Sequence, residues 1–288
     1  ISSLVAMRRF AQSAPRAALR LQQKLAQSSA APVVAAGAAV AAATLGTAMA
    51  SDSAIAPPKQ AWDHAGFLSS FDAASIRRGH MVYAQVCASC HGLSAIAYRN
   101  LIGVCYTEEE AKAMAEDTEV MDGPNDEGEM FERPGKLADY MPSPYPNEEA
   151  ARFANNGAYP PDLSLIVKAR PGAADYIFAL LTGYKEPPAG IAPRETQYYN
   201  PYFPGGWIGM PPPISDGGVD YDDGTEATAT QMAKDVSVFL AWTSEPEQDE
   251  RKLMGFKWMT ALTVMFMFTW YYKRVKWSVV KNRRLELY

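Results

Sequence analysis

Apolar positions at helical spacing place most of the elements. Ile76, His80, Tyr83 and Cys87 recur along one face, which predicts a helix, and Gly79 on the same side would let a second helix approach closely. Asn147 can cap a helix that ends at Asn156-Gly157, and Asp162 can cap another ending at Pro171. Residues 173–182 form a further helical run stopped at Gly183. Met232, Val236, Phe239 and Leu240 give the apolar stripe of the next, which ends before Pro246. No stretch alternates in the way a half-buried strand does, and no internal repeat is present. Prolines concentrate in 121–146 and 186–223, so these segments are expected to be long loops.

Two segments do not fit a globular head. Between Leu253 and Tyr272 the only charge is Lys257, and twenty residues at about 1.5 Å each cover roughly 30 Å, a hydrocarbon core's thickness. Trp258, Trp270, Tyr271 and Tyr272 lie towards its ends, where interfacial aromatics belong, and Lys257 is near enough to one end to snorkel. A transmembrane helix is therefore expected over 253–272. Lys273, Arg274, Lys276, Lys281, Arg283 and Arg284 follow it, while Glu245, Glu247, Asp249 and Glu250 precede it. That asymmetry puts the tail, 273–288, on the cytoplasm-like face and the preceding head on the other. At the opposite end Arg8, Arg9, Arg16, Arg20 and Lys24 sit in an Ala/Ser-rich stretch without a carboxylate, the composition of a mitochondrial transit peptide. An uncharged Ala-rich run follows and closes with Ala48-Met49-Ala50. Residues 1–50 are thus expected to be a two-part, cleaved presequence, 51–245 a head domain, and 246–252 a stalk.

Charge sharpens this division. The chain has a formal charge of −5, but residues 51–253 alone carry 15 basic and 31 acidic side chains, a net −16. Such a segment does not bind nucleic acid by neutralising phosphates; it attracts a cationic partner. From Glu108 to Glu132 there are eleven carboxylates against Lys112 alone, and most of this run is expected to be a solvated loop.

The chemistry concentrates in Cys87-Ala88-Ser89-Cys90-His91, the C-x-x-C-H pattern of covalent c-type haem attachment. Cysteines at i and i+3 on a helical turn face one side, where both thiols can add to the two vinyl groups. The next residue then brings its imidazole under the iron. A zinc site would need two more ligands from Cys105, His64 and His80, and a redox dithiol would be expected near a βαβ pattern, which is lacking. For the sixth position His80 lies on the same side as His91, and His64 suits a surface histidine. Met210 stands in Pro204-Gly205-Gly206-Trp207-Ile208-Gly209-Met210-Pro211-Pro212-Pro213, a stiff loop whose glycines permit approach to a flat macrocycle. Met141, also flanked by proline, and Met81 are its rivals.

Segments 75–83 (SIRRGHMVY), 86–92 (VCASCHG), 104–112 (VCYTEEEAK), 122–130 (DGPNDEGEM), 159–170 (YPPDLSLIVKAR), 199–210 (YNPYFPGGWIGM) and 252–258 (KLMGFKW) occur in this order, and together they resemble the mitochondrial cytochrome c1 family over 60–288. The resemblance implies a mainly α, class I cytochrome c-like haem domain with long loop insertions plus one C-terminal transmembrane helix. It implies haem c attached through Cys87 and Cys90, iron ligated by His91 and Met210, and Arg170 and Tyr176 near a haem propionate. It implies electron transfer within ubiquinol–cytochrome c reductase, from a Rieske iron–sulfur protein to soluble cytochrome c, with cytochrome b and other bc1 subunits as neighbours. The setting is the mitochondrial inner membrane, with the head in the intermembrane space and the C-terminus in the matrix. Cys105 departs from the pattern and is taken as a small hydrophobe without a redox role. A peroxidase-type haem enzyme or a membrane-anchored haem sensor remain the other classes open to a C-x-x-C-H chain; the first needs an open sixth position and a distal histidine.

Overall fold

The computed structural model describes residues 55–190 and 192–284; the expected presequence, 1–50, lies outside them. Seven α-helices follow one another among the described residues: α1 (Ala73–Gln85), α2 (Glu108–Glu116), α3 (Glu148–Ala154), α4 (Ile166–Ala169), α5 (Ala173–Thr182), α6 (Ala229–Ser244) and α7 (Gln248–Lys281). The core is built where α1 and α5 pack on α6, with α4 alongside.

The α1–α6 contact is the closest in the molecule's centre. Asp72 starts α1 by accepting from the amides of Ala74 and Ser75, both at 3.2 Å. Its apolar face carries Ile76, Val82 and Tyr83 into the core, against Met232, Val236 and Phe239 of α6. A Cβ added at Gly79 would lie 2.2 Å from the carbonyl oxygen of Asp235 and 2.6 Å from Phe239 Cβ. Only glycine lets the two backbones meet there. Beside the crossing, Arg78 Nε donates to Asp235 Oδ2 at 2.8 Å and its Nη2 to Oδ1 at 3.2 Å. Asp235 is fully buried, and Gln231 Nε2 gives it a third bond at 2.9 Å. Losing Arg78 would strand the buried Asp235 carboxylate, at a cost of about 3–5 kcal/mol, whereas Arg78 without Asp235 keeps its pairing with Asp223.

Two expectations are corrected. Part of the acidic run is helical: Thr107 and Glu110 form a reciprocal capping box that opens α2, and three glutamates in its first turn suit the positive end of the helix dipole. Small hairpins also exist where alternation predicts none. β1 (Glu119–Asp122) pairs antiparallel with β2 (Phe131–Pro134), and β3 (Tyr198–Tyr199) with β4 (Trp207–Ile208). They are too short and too exposed to show alternation; the first is held instead by Arg133, which bridges Asp122 and Asp139.

At the C-terminal side, α7 runs unbroken for 34 residues, about 50 Å. It begins within the expected stalk and continues past the expected span. None of its residues is buried. Yet no helix among the described residues is long and apolar enough, by mean hydropathy, to cross a membrane, because Lys257, three threonines and four aromatics with polar tips interrupt the aliphatic run. Those threonines are satisfied internally: Thr260, Thr263 and Thr269 donate to the carbonyls of Phe256, Met259 and Met265 at 2.7–3.0 Å.

Gly79→Ala tests the crossing. In an exposed helix this change would stabilise by about 1 kcal/mol. Here the methyl would overlap Asp235, and overpacking costs about 1–3 kcal/mol; an overlap with backbone belongs at the top of that range. The expected result is a net loss, seen as a Tm lower by several degrees; an unchanged or raised Tm would mean that α1 and α6 can part without cost.

Candidate functional site

The last turn of α1 delivers the C-x-x-C-H residues. A short 3-10 turn, Cys87–Ser89, follows, and the amides of Cys90 and His91 both donate to the Cys87 carbonyl, at 3.1 and 2.9 Å. Both thiols are free and half-buried. Burial, then the neighbouring Cys90, pushes the Cys87 thiol up to about 12, so it stays protonated at neutral pH. Among the described residues no group of three or more His, Cys, Asp or Glu is placed to hold a metal.

His91 is held on its far side. Its Nδ1 lies 2.8 Å from the Pro161 carbonyl oxygen; a carbonyl can only accept, so Nδ1 carries the hydrogen and Nε2 keeps its lone pair. Burial lowers the His91 pKa, against smaller opposing effects of the Pro161 bond and Asp162. The segment around Pro161 is itself laced to the Cys–His turn. Leu163 N donates to Gly92 O at 2.9 Å, Ser94 N to Asp162 Oδ2 at 2.9 Å, and Ala95 N to Ser164 Oγ at 3.0 Å. Tyr83 of α1 donates to the His91 carbonyl at 3.0 Å. Asp162 thus does not begin a helix running to Pro171 as expected. It closes this lacing and a turn to Ser164 N at 2.8 Å, and the helix there is only α4.

Met210 follows β4 in the loop anticipated for it and is half-buried. Asn200 anchors that loop. It is fully buried, and its Nδ2 donates to Leu180 O of α5 at 2.8 Å while its amide donates to Gly206 O at 2.9 Å. Gly205 and Gly206 make the turn at φ 78° and 75°. The far end is tied by Tyr184, whose hydroxyl donates to the Met210 carbonyl at 3.1 Å. Burial raises the Tyr184 pKa, and so does the nearby Tyr176, which places Tyr176 of α5 beside the same support. A Cβ at Gly209 would lie 3.0 Å from Ala158 Cβ, so the 158–161 segment lies against the Met210 loop at one end and holds His91 at the other. Nothing in the apolar and turn pattern singles out Pro161, Asn200 or Tyr184.

The other candidates separate clearly. Met141 is buried in the hydrophobic core with Leu93 and Ile96. His80 is buried, its Nδ1 is 3.0 Å from the Tyr106 hydroxyl, and its ring packs edge-on to Tyr106 and Phe239. Burial, assisted by Arg77, lowers its pKa to about 4. His64 is half-buried and stacks on Phe71 at 4.6 Å. Cys105 is half-buried against the core, and burial pushes its thiol up to about 12. Arg170 is exposed just past α4, where it lines a surface cavity of about 570 Å³ with Lys59, Trp62 and Lys168. Its carbonyl accepts from the Ala173 amide at 3.1 Å, but its guanidinium makes no hydrogen bond or ion pair among the described residues, so its charge is available to an anion.

A free pair of thiols on one turn, followed by an imidazole with one nitrogen fixed by a carbonyl, fits a covalently attached haem; the Met210 thioether stands on a separately braced loop, and Arg170 lines a cavity to which the Cys87–His91 turn does not contribute. The comparisons agree with that class. The chain belongs to the cytochrome c1 family, whose profile matches residues 62–280. It is 64% identical over 230 residues to "Cytochrome c1 2, heme protein, mitochondrial" of Arabidopsis thaliana, covering 80% of this chain and 75% of that protein. A Solanum tuberosum relative, "Cytochrome c1-2, heme protein, mitochondrial", shows the same identity with coverages of 80% and 88%. "Cytochrome b-c1 complex catalytic subunit, mitochondrial" of Candida albicans is 58% identical over 231 residues, with 80% of each chain covered.

The neutral burial of His80 has a pH consequence. Its pKa is lowered on folding, so between about pH 6.5 and 4 the unfolded chain binds a proton that the folded one excludes, and stability falls as pH drops through that window. Taken as one proton over that interval, the effect is on the order of 3 kcal/mol. Urea unfolding of a His80→Phe variant is expected to show a shallower decline between pH 6.5 and 4; an identical slope would place the acid sensitivity elsewhere.

Proposed function

We propose that this chain is the haem-bearing electron-transfer subunit of a mitochondrial ubiquinol–cytochrome c reductase. The observation that carries the proposal is the Cys87–His91 turn with His91 Nδ1 fixed on Pro161, set against a Met210 loop braced from α5. Cys87 and Cys90 would form the thioethers, His91 Nε2 and the Met210 sulfur would ligate the iron, and Arg170 and Tyr176 would meet a propionate. When bound, the haem supplies reversible one-electron exchange at iron. The protein's work is positioning: Pro161 orients His91 while burial lowers the imidazole's pKa, and Asn200 and Tyr184 hold Met210 at a fixed reach. No side chain breaks a bond.

The partners follow from charge and from the relatives' names. A head carrying −16 over residues 51–253 suits a cationic carrier, as soluble cytochrome c is expected to be. A Rieske iron–sulfur protein is the electron donor, and cytochrome b with other bc1 subunits lies alongside, as the name of the Candida relative supports. We assign the membrane span to α7 despite its modest mean hydropathy. Its threonine hydroxyls are satisfied on the helix itself, which cheapens their transfer to lipid, and its aromatics suit the interfaces. The head then faces the intermembrane space and the basic tail the matrix.

Met210 variants test the ligand set. Met210→Leu is expected to abolish the weak near-infrared sulfur-to-iron band of the oxidised protein and to open a site for carbon monoxide. Met210→His should retain haem through denaturation, because Cys87 and Cys90 still hold it. Its potential should drop on the order of 0.1–0.3 V, within the roughly 0.8 V range that axial ligands command, and turnover of the complex should collapse. Survival of the near-infrared band in Met210→Leu would assign the sulfur elsewhere.

Docking is tested by ionic strength. With a Debye length of about 8 Å at physiological salt, steering by the acidic head acts at short range. Second-order oxidation of the reduced protein by cytochrome c should slow about tenfold or more as salt rises from low to high. A flat rate would remove the acidic surface from recognition.

A further inference from the structure

The segment between the first 3-10 turn, Asp63–Ala65, and α1 forms a strap around the start of α7. Lys252 Nζ donates to the His64 carbonyl at 2.6 Å and to the Ser69 carbonyl at 2.8 Å. Gln248 Nε2 donates to the His64 carbonyl at 3.1 Å, and the Phe71 amide to Asp249 Oδ2 at 3.2 Å. The two carbonyls on Lys252 bracket a turn in which the Ser69 amide donates to Gly66 O at 3.4 Å. Its central residues are Phe67 and Leu68, which are 76% and 66% exposed. No charged residue lies between His64 and Asp72. Two large apolar side chains at the tip of an uncharged loop gain nothing from water.

The position of this tip matters more than its composition. Lys252 pins the turn beside the helix one residue before the exposed apolar surface of α7 begins at Leu253, Met254 and Phe256. The apolar tip and the apolar helix surface are therefore neighbours at one level, and what covers the first turns of α7 lies next to the tip as well. From this we infer that the Gly66–Ser69 turn is an interfacial anchor, with Phe67 and Leu68 inserted at the boundary between headgroups and acyl chains where α7 enters the bilayer. The inference rests on the assignment of α7 as the membrane span. An apolar tip fixed to the helix's entry point gives the head a second contact with the membrane, so the head's tilt about α7 is restrained by two points rather than one. The two serines that follow the tip, Ser69 and Ser70, can meet headgroups, and Lys252, held by two carbonyls, keeps the turn from folding away.

The test uses the full chain with haem attached, in a Cys105→Ala background, reconstituted into phosphatidylcholine vesicles and reduced. Nitroxide labels are placed singly at Leu68→Cys, at Met265→Cys within α7, and at Phe153→Cys, which is 92% exposed on α3. The labels at 68 and 265 are expected to collide with oxygen several-fold more often than with a water-soluble nickel chelate, and the label at 153 to show the reverse. A lipid-like label at 265 with a water-like label at 68 would overturn the anchor and leave the span standing. Water-like labels at both would overturn the span, and the anchor with it. If the label at 68 is shielded from both reagents in the intact complex, a protein neighbour covers the turn there and lipid is not its native occupant.

Discussion

The close crossing of α1 and α6 is the constraint on which the rest of the head depends. At Gly79 the two backbones touch without an intervening side chain, and the fully buried Asp235 is neutralised beside the contact by one edge, Nε and Nη2, of the Arg78 guanidinium. A backbone contact fixes the separation, and a bidentate ion pair fixes rotation about it. With α1 set in both respects, the direction in which its last turn leaves is set too. Cys87, Cys90 and His91 emerge from that end within one turn, so the attachment residues inherit their position from a contact two helical turns away.

Met210, the proposed second ligand, is placed by different means. The Met210 loop has almost no regular structure, and a thioether has little preference of its own. Its position comes from bonds at either end of the loop: Asn200 to the α5 carbonyl of Leu180, and Tyr184 to the carbonyl of Met210 itself. Because α5 also packs on α6, the segments bearing His91 and Met210 both refer back to the same helix. The 158–161 segment closes the frame, touching Gly209 and holding His91. Two ligands facing a rigid planar group need their separation fixed more than they need strong individual bonds, and a shared reference helix supplies that.

Much of this was legible in the sequence because it is local. The C-x-x-C-H spacing, the Asn147 cap, the stop at Gly183 and the stripe of α6 each rest on neighbours within a turn or two, and each is found. Gly79 was legible as a small residue on an apolar face. What the pattern hides is what depends on distant partners. Pro161 acts through a carbonyl that every residue possesses, so no side-chain signal marks it. Asp162 is a good helix cap by type, and only the fold shows that Ser94 competes for it. In α2 the missed signal was present: Thr107 and Glu110 satisfy the capping-box spacing, but eleven carboxylates in one stretch outweighed it as evidence for solvent. The hairpins are two to four residues long, below the length at which alternation carries information.

The charge asymmetry around α7 is clearer in the structure than in the sequence. Counted along the chain, Arg251 and Lys252 stand immediately before the apolar run and weaken the contrast with the basic tail. In the fold neither is a free cation. Arg251 pairs with Glu245, which also binds Lys168 at 2.9 Å, and Lys252 is spent on the carbonyls of His64 and Ser69. Beyond the run, Arg274 and Lys276 lie over the rings of Trp270 and Tyr272, contacts that leave their charge in place while setting it at the level of the aromatics. A rule that counts positive charge near a span counts what an anionic surface can still attract. Two cations engaged by the head, against tail cations with no ion pair among the described residues, make the asymmetry sharper than the composition, and they favour the same orientation that the acidic head does.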